Sequence, residues 1–118
     1  MQIVRHLCID GPLEGVVARL KLTLHLLIHC GNGTRFRIGT TSDPQRRADA
    51  YDADASSPYA VMELLYAGRT AEDVRQVESA LIHAFSILLD NPPNGEDEPL
   101  PGPQYFLYLV TDAGAFET

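Results

Sequence analysis

Arg47 lies eight residues after Gly39, in the run Phe36-Arg37-Ile38-Gly39-Thr40-Thr41-Ser42-Asp43-Pro44-Gln45-Arg46-Arg47. Glu78 opens a second run, Glu78-Ser79-Ala80-Leu81-Ile82, more than thirty residues on. A guanidinium can donate paired hydrogen bonds to a phosphate, and a carboxylate can hold a hard divalent cation. Brought together, the two would serve phosphodiester hydrolysis, which needs charge neutralisation, an activated water and a stabilised leaving oxygen. Arg47 would neutralise charge as it builds on the phosphate. Glu78 would hold one Mg²⁺ (or Mn²⁺), with water completing the shell.

These side chains need a folded domain to position them. The chain has 118 residues, 45% hydrophobic and 21% charged, enough for one globular domain with a modest core. No apolar run is long enough to cross a bilayer. Arg5, His6 and Asp10 break up any secretory leader, and two cysteines, Cys8 and Cys30, suit reduced thiols, so a cytoplasmic (intracellular) setting is expected. The net charge of −7 argues against a protein that coats nucleic acid. Its distribution is uneven: residues 31–48 carry Arg35, Arg37, Arg46 and Arg47 against Asp43 alone, a local +3 that leaves −10 for the remainder. Such a window suits a few phosphate contacts rather than a long duplex footprint, or simply forms a solvated face.

The expected class is α/β (α+β), a small antiparallel sheet of three to four strands flanked by helices. Residues 3–9 read as a strand and 13–20 as a short helix. Residues 22–30, rich in leucine and followed by Gly31-Asn32-Gly33, read as a central strand forming a hairpin with 34–39. Alternation there separates Phe36 and Ile38 from Arg35 and Arg37. Ser42, Pro44 and Gln45 signal a helix start, and that helix carries Arg46 and Arg47 to about Tyr51. Residues 60–66 form a third strand. Thr70 caps a long helix whose apolar stripe is Val74, Val77, Leu81, Phe85 and Leu88, with Glu78 at its boundary. Residues 90–104 hold five of the eight prolines and read as an acidic surface connector. Residues 105–110 form an apolar segment that docks on the body.

From about residue 22 to 94 the chain resembles the GIY-YIG nuclease superfamily. Arg37-Ile38-Gly39 stands as the second half of that motif, with a basic residue as in a phage-associated branch. The resemblance implies a divalent-metal-dependent endonuclease with Arg47 as its catalytic arginine, Tyr51 one helical turn later and Glu78 as metal ligand. It implies a further role for Asn91 or Asn94, and Tyr105-Phe106 echo an aromatic pair near the C-terminus of that branch. Arg35, Arg37, Arg46 and Thr40 are the expected nucleic-acid contacts. The chain departs from the motif at both tyrosines: Leu26 and Arg37 occupy their places, and leucine cannot take a proton. Tyr51, His25 and His29 are the candidate substitutes, although His25 would face away from Leu26 on a regular strand. A catalytically inactive module that binds nucleic acid or a protein partner is the alternative.

Other metal chemistry is weak. His25 and His29 mimic a zinc spacing only on a helix, and on a strand they stand about 13 Å apart. His6, Cys8, His29 and Cys30 could meet across two strands, but His29 and Cys30 would point to opposite faces. No phosphate-cradling glycine loop is present.

Overall fold

Between residues 13 and 29 the apolar positions that become buried are Val16, Leu20, Leu24, Leu27 and Ile28. Their spacing of four, four, three and one places them on one side of a single helix. The computed structural model, which describes residues 1–8, 13–68, 70–91 and 104–113, accordingly shows one helix, α1, over Leu13–His29. The expected strand over 22–30 is not formed. Leucine favours helix, and only Thr23 and Ile28 in that stretch are β-branched, so the glycine pair after it was a misleading hairpin signal.

The remaining elements are β1 (Gln2–Cys8), β2 (Phe36–Thr41), α2 (Pro44–Ala53), β3 (Val61–Gly68), α3 (Ala71–Phe85) and β4 (Tyr105–Thr111). The fold is α+β, with one four-stranded sheet in the order β1-β3-β4-β2. The sheet is mixed rather than antiparallel throughout, because β1 runs parallel to β3 while β4 runs antiparallel to both β2 and β3. The segment expected merely to dock is therefore a central strand. Buried on both faces, it reads as the continuous apolar run Phe106 to Val110.

Strand β2 pairs with β4 and not with the segment before it. The Gly31-Asn32-Gly33 stretch instead joins α1 to β2. It is tied down where the Asp112 carboxylate accepts from the backbone N–H groups of Thr34 at 2.7 Å and Arg35 at 3.2 Å. Gly33 lies so close to Thr111 that a Cβ there would overlap its hydroxyl. The outer edge of β2 is closed by Asp90 and Asn91: the Asp90 N–H donates to the Phe36 carbonyl at 2.7 Å. The Asn91 amide accepts from Ile38 N–H at 2.8 Å and donates to the Ile38 carbonyl at 2.6 Å, imitating a neighbouring strand.

The sheet divides the core in two. One face carries Phe36, Ile38, Leu65, Tyr66, Leu107 and Leu109 against α1 and α3. The other carries Met62, Leu64, Phe106, Tyr108 and Val110 against Ala48 of α2. An irregularity in β3 between Leu64 and Tyr66 lets Leu65 and Tyr66 share a face. Thr70 caps α3, its hydroxyl accepting from Asp73 N–H at 3.1 Å, as the sequence indicated. The cap of α2 is Asp43 rather than Ser42. Its carboxylate accepts from Arg46 N–H at 3.1 Å, Pro44 takes the first turn, and Gln45 bonds to Asp49 instead of closing a capping box. Asn94 and most of the expected 90–104 connector lie outside the described residues.

The helical assignment of residues 22–29 separates two neighbouring leucines. Leu24→Ala should cost about 2–5 kcal/mol in urea denaturation, because Leu24 is fully buried. Leu22→Ala, at a site 62% exposed, should change stability by about 0.5 kcal/mol or less.

Candidate phosphate pocket

The pocket begins with a missing side chain. Gly39 of β2 stands opposite Tyr108 of β4 in the strand register. A Cβ at position 39 would collide with the Tyr108 hydroxyl and ring, so only glycine lets the phenol cross the strand. Tyr108 is 1% exposed, and its hydroxyl lies 2.9 Å from that of Tyr51 on α2. The two rings meet edge to face with centroids 6.1 Å apart. Burial, and then the neighbouring Tyr51, raises the Tyr108 phenol well above its ordinary range, while Arg47 and Arg37 pull in the other direction.

Arg47 precedes Tyr51 by one helical turn, so both project from the same side of α2. Its Cζ lies 6.0 Å from the Tyr51 ring centroid, within cation–π range. The start of α2 that sets this orientation is held by Thr41, whose hydroxyl accepts from Asp43 N–H and donates to the Asp43 carbonyl, both at 3.1 Å. Arg37 emerges from β2 on the face that carries Gly39. Arg37, Arg47, Ala50, Tyr51 and Asp54 line one open pocket of about 220 Å³. Asp54 is the C-cap of α2, and its carboxylate accepts from the Ser56 hydroxyl at 2.7 Å and N–H at 3.0 Å. Those bonds, the hydroxyl foremost, hold Asp54 below the usual carboxylate range.

The other expected site residues disperse. Arg35 is an ion-pair partner of Asp90 at 3.0 Å, a bond that raises the guanidinium pKa. The same Asp90 oxygen accepts from the Tyr59 hydroxyl at 2.9 Å. Burial and then Asp90 push the Tyr59 phenol upward. Arg46 is exposed and does not line the pocket. Thr40 is a correction: it is 5% exposed and alternates onto the face of Phe36 and Ile38, away from the arginines. Asn91 serves the β2 edge. His25 is a second correction. It projects into solvent from α1, across the sheet from Arg47, because the strand meant to carry it is a helix.

Glu78 is half-buried on α3. Helix α3 packs through Val74, Val77 and Leu81 on the sheet face opposite α2. The helical period puts Glu78 on the flank of α3 shared with Ile82 and Phe85, away from the Gln76 and Val77 side that α1 meets. Among the described residues no three His, Cys, Asp or Glu side chains form a metal-binding group.

With this geometry in hand, comparison with protein families matches residues 26–106 to the T5orf172 domain. The chain belongs to the T5orf172 domain family. This phage-associated domain is related to nuclease-like folds. In this chain the T5orf172 match runs from the last turns of α1 to the second residue of β4 and includes Arg37, Arg47, Tyr51 and Glu78. Tyr108 falls just beyond it. Neither the curated proteins nor the solved structures gave a match. No helix among the described residues is long and apolar enough to cross a membrane.

Ala50 and Asp54 of the pocket lining, and Tyr108 behind Tyr51, are the residues that sequence reading missed. For Tyr108 a signal existed: a phenol inside a six-residue apolar run needs a buried hydrogen-bond partner, and Tyr51 supplies it. Gly39→Ala should therefore destabilise the fold by about 1–3 kcal/mol through the clash with Tyr108, read from the urea midpoint. Thr40→Ala, on the other sheet face, should leave the Arg37–Arg47 pocket unchanged, read from unaltered oligonucleotide titration relative to the parent protein.

Proposed function

We propose that the Arg37–Arg47–Tyr51 pocket binds a phosphodiester of a nucleic acid and hydrolyses it in the manner of GIY-YIG nucleases. The observation that carries this reading is the convergence of two guanidiniums, from β2 and from α2, on one open pocket that also contains a phenol. The T5orf172 relationship to nuclease-like folds supports it.

In this mechanism Arg47 and Arg37 donate to the non-bridging oxygens, and their bonds strengthen as charge builds on the phosphorus. Tyr51 is the hydroxyl that faces the phosphate and orients the attacking water. Tyr108 fixes the Tyr51 ring from behind. Its own phenol, raised by burial, stays protonated and is closed to water, so it positions rather than accepts the water's proton. Water attacks phosphorus as the bond to the leaving oxygen breaks, and the proton that the water gives up passes through solvent at this open pocket to the leaving oxygen. Glu78 is the residue that the resemblance offers for Mg²⁺ or Mn²⁺, an ion content with one or two carboxylates, but α3 packs on the sheet face opposite α2, so Glu78 does not line the Arg37–Arg47 pocket and no step here runs through the ion.

A second reading, a module that binds nucleic acid without cutting it, is favoured by one observation. Helix α3, which carries Glu78, packs on the far face of the sheet from α2, which carries Arg47.

Cleavage of labelled DNA and RNA oligonucleotides with Mg²⁺ separates the two. Arg47→Ala should lower the rate about 10²–10³-fold and reduce the salt slope of oligonucleotide binding by about one unit. Glu78→Ala, outside the pocket, should leave binding in EDTA intact, and a loss of Mg²⁺-dependent cleavage in this variant would give Glu78 the metal role that the resemblance implies. Cleavage that survives Arg47→Ala removes the hydrolytic reading of this pocket. Binding lost in Arg47→Ala, with no cleavage by the parent protein under any metal, establishes the module.

A further inference from the structure

The outward face of α1 presents a second, independent set of chemical groups. His25 and His29 sit one helical turn apart, with ring centroids 4.5 Å from each other, and both are exposed. A helix thus brings together the imidazole pair that a strand would have held apart. Imidazole nitrogens at i and i+4 can chelate one borderline transition metal such as Zn²⁺.

Two ligands do not complete a zinc centre, which in structural sites takes four in tetrahedral array. No third donor of this chain joins the pair among the described residues. The same face carries the exposed leucines Leu22, 62% exposed, and Leu26, 45% exposed. Ala18, Leu22, His25 and His29 follow the spacing four, three, four, which is the seam of two packed helices. All four are exposed, because the buried residues of α1 turn to the sheet on its other side.

We propose that His25 and His29 form half of a Zn²⁺ site shared between two copies of this chain. Each copy gives two imidazole nitrogens. A two-fold axis beside the histidines brings the α1 seams together and covers Leu22 and Leu26. The missing ligands select the occupant: a second copy supplies the same donor pair and an apolar surface of the same shape. The site lies on the opposite sheet face from the phosphate pocket, so it stands whether or not that pocket cleaves.

Sedimentation equilibrium of the whole protein, in EDTA and with added ZnCl₂, tests the proposal. The expected result is a monomer–dimer equilibrium tightened more than about tenfold by zinc, at one ion per two chains. His25→Ala and His29→Ala should each remove the zinc effect. Leu22→Asp should weaken the dimer, and Cys30→Ser, altering the exposed free thiol beside the pair, should change neither. These surface substitutions should leave the circular dichroism spectrum unchanged. A zinc-insensitive monomer, one ion bound per monomer, or a zinc effect lost only in Cys30→Ser would overturn the shared site.

Discussion

Strand β4 is the member on which the other elements depend. It lies between β2 and β3 and, among the described residues, supplies the strand pairing that β2 receives. The pairing register sets Tyr108 against Gly39. Because side chains alternate along a strand, a slip of one residue would turn Tyr108 toward α1 and α3 and bring Leu107 or Leu109 beneath α2. The absent Cβ of Gly39 and the bulk of the phenol make that slip costly. Gly39 is thus explained by packing: it is the gap through which Tyr108 reaches Tyr51.

The sheet then divides labour between its faces. Helices α1 and α3 bury the larger apolar cluster on one side. Helix α2 covers a smaller cluster on the other side, and its exposed flank combines with β2 to form the pocket. The basic window of the sequence is divided by the same geometry. Arg37 and Arg47 converge, Arg35 is drawn to Asp90 beside Tyr59, and Arg46 remains on the surface. Four like charges in one stretch of sequence therefore become two at one site.

Asp90 and Asn91 show how a structural demand can occupy a residue that resemblance marks for function. An edge strand exposes unpaired N–H and C=O groups, and a side-chain amide can satisfy one of each. Asn91 does so at Ile38, next to the motif glycine. Its contribution to the pocket is to hold β2 in place from outside while β4 holds it from within.

Local signals determined a good part of this protein. The capping chemistry at Thr70, the stripe Val74-Val77-Leu81, the proline-led start of α2 and the shared side of Arg47 and Tyr51 all depend on residues within one or two helical turns. Those interactions are complete within a short window, so a sequence states them. Residues 22–29 were open to either reading, because a leucine-rich stretch suits a buried strand as well as a helix. The buried spacing that resolves it begins outside the stretch, at Val16 and Leu20. What only the tertiary structure decided is which strands pair. The partner of β2 lies some seventy residues away at Tyr108, the β1–β3 pair runs parallel, and His25 and His29 meet on a helix rather than diverging on a strand. Pairing is chosen by the fit of whole faces across the sheet, and that fit is a property of the assembled chain.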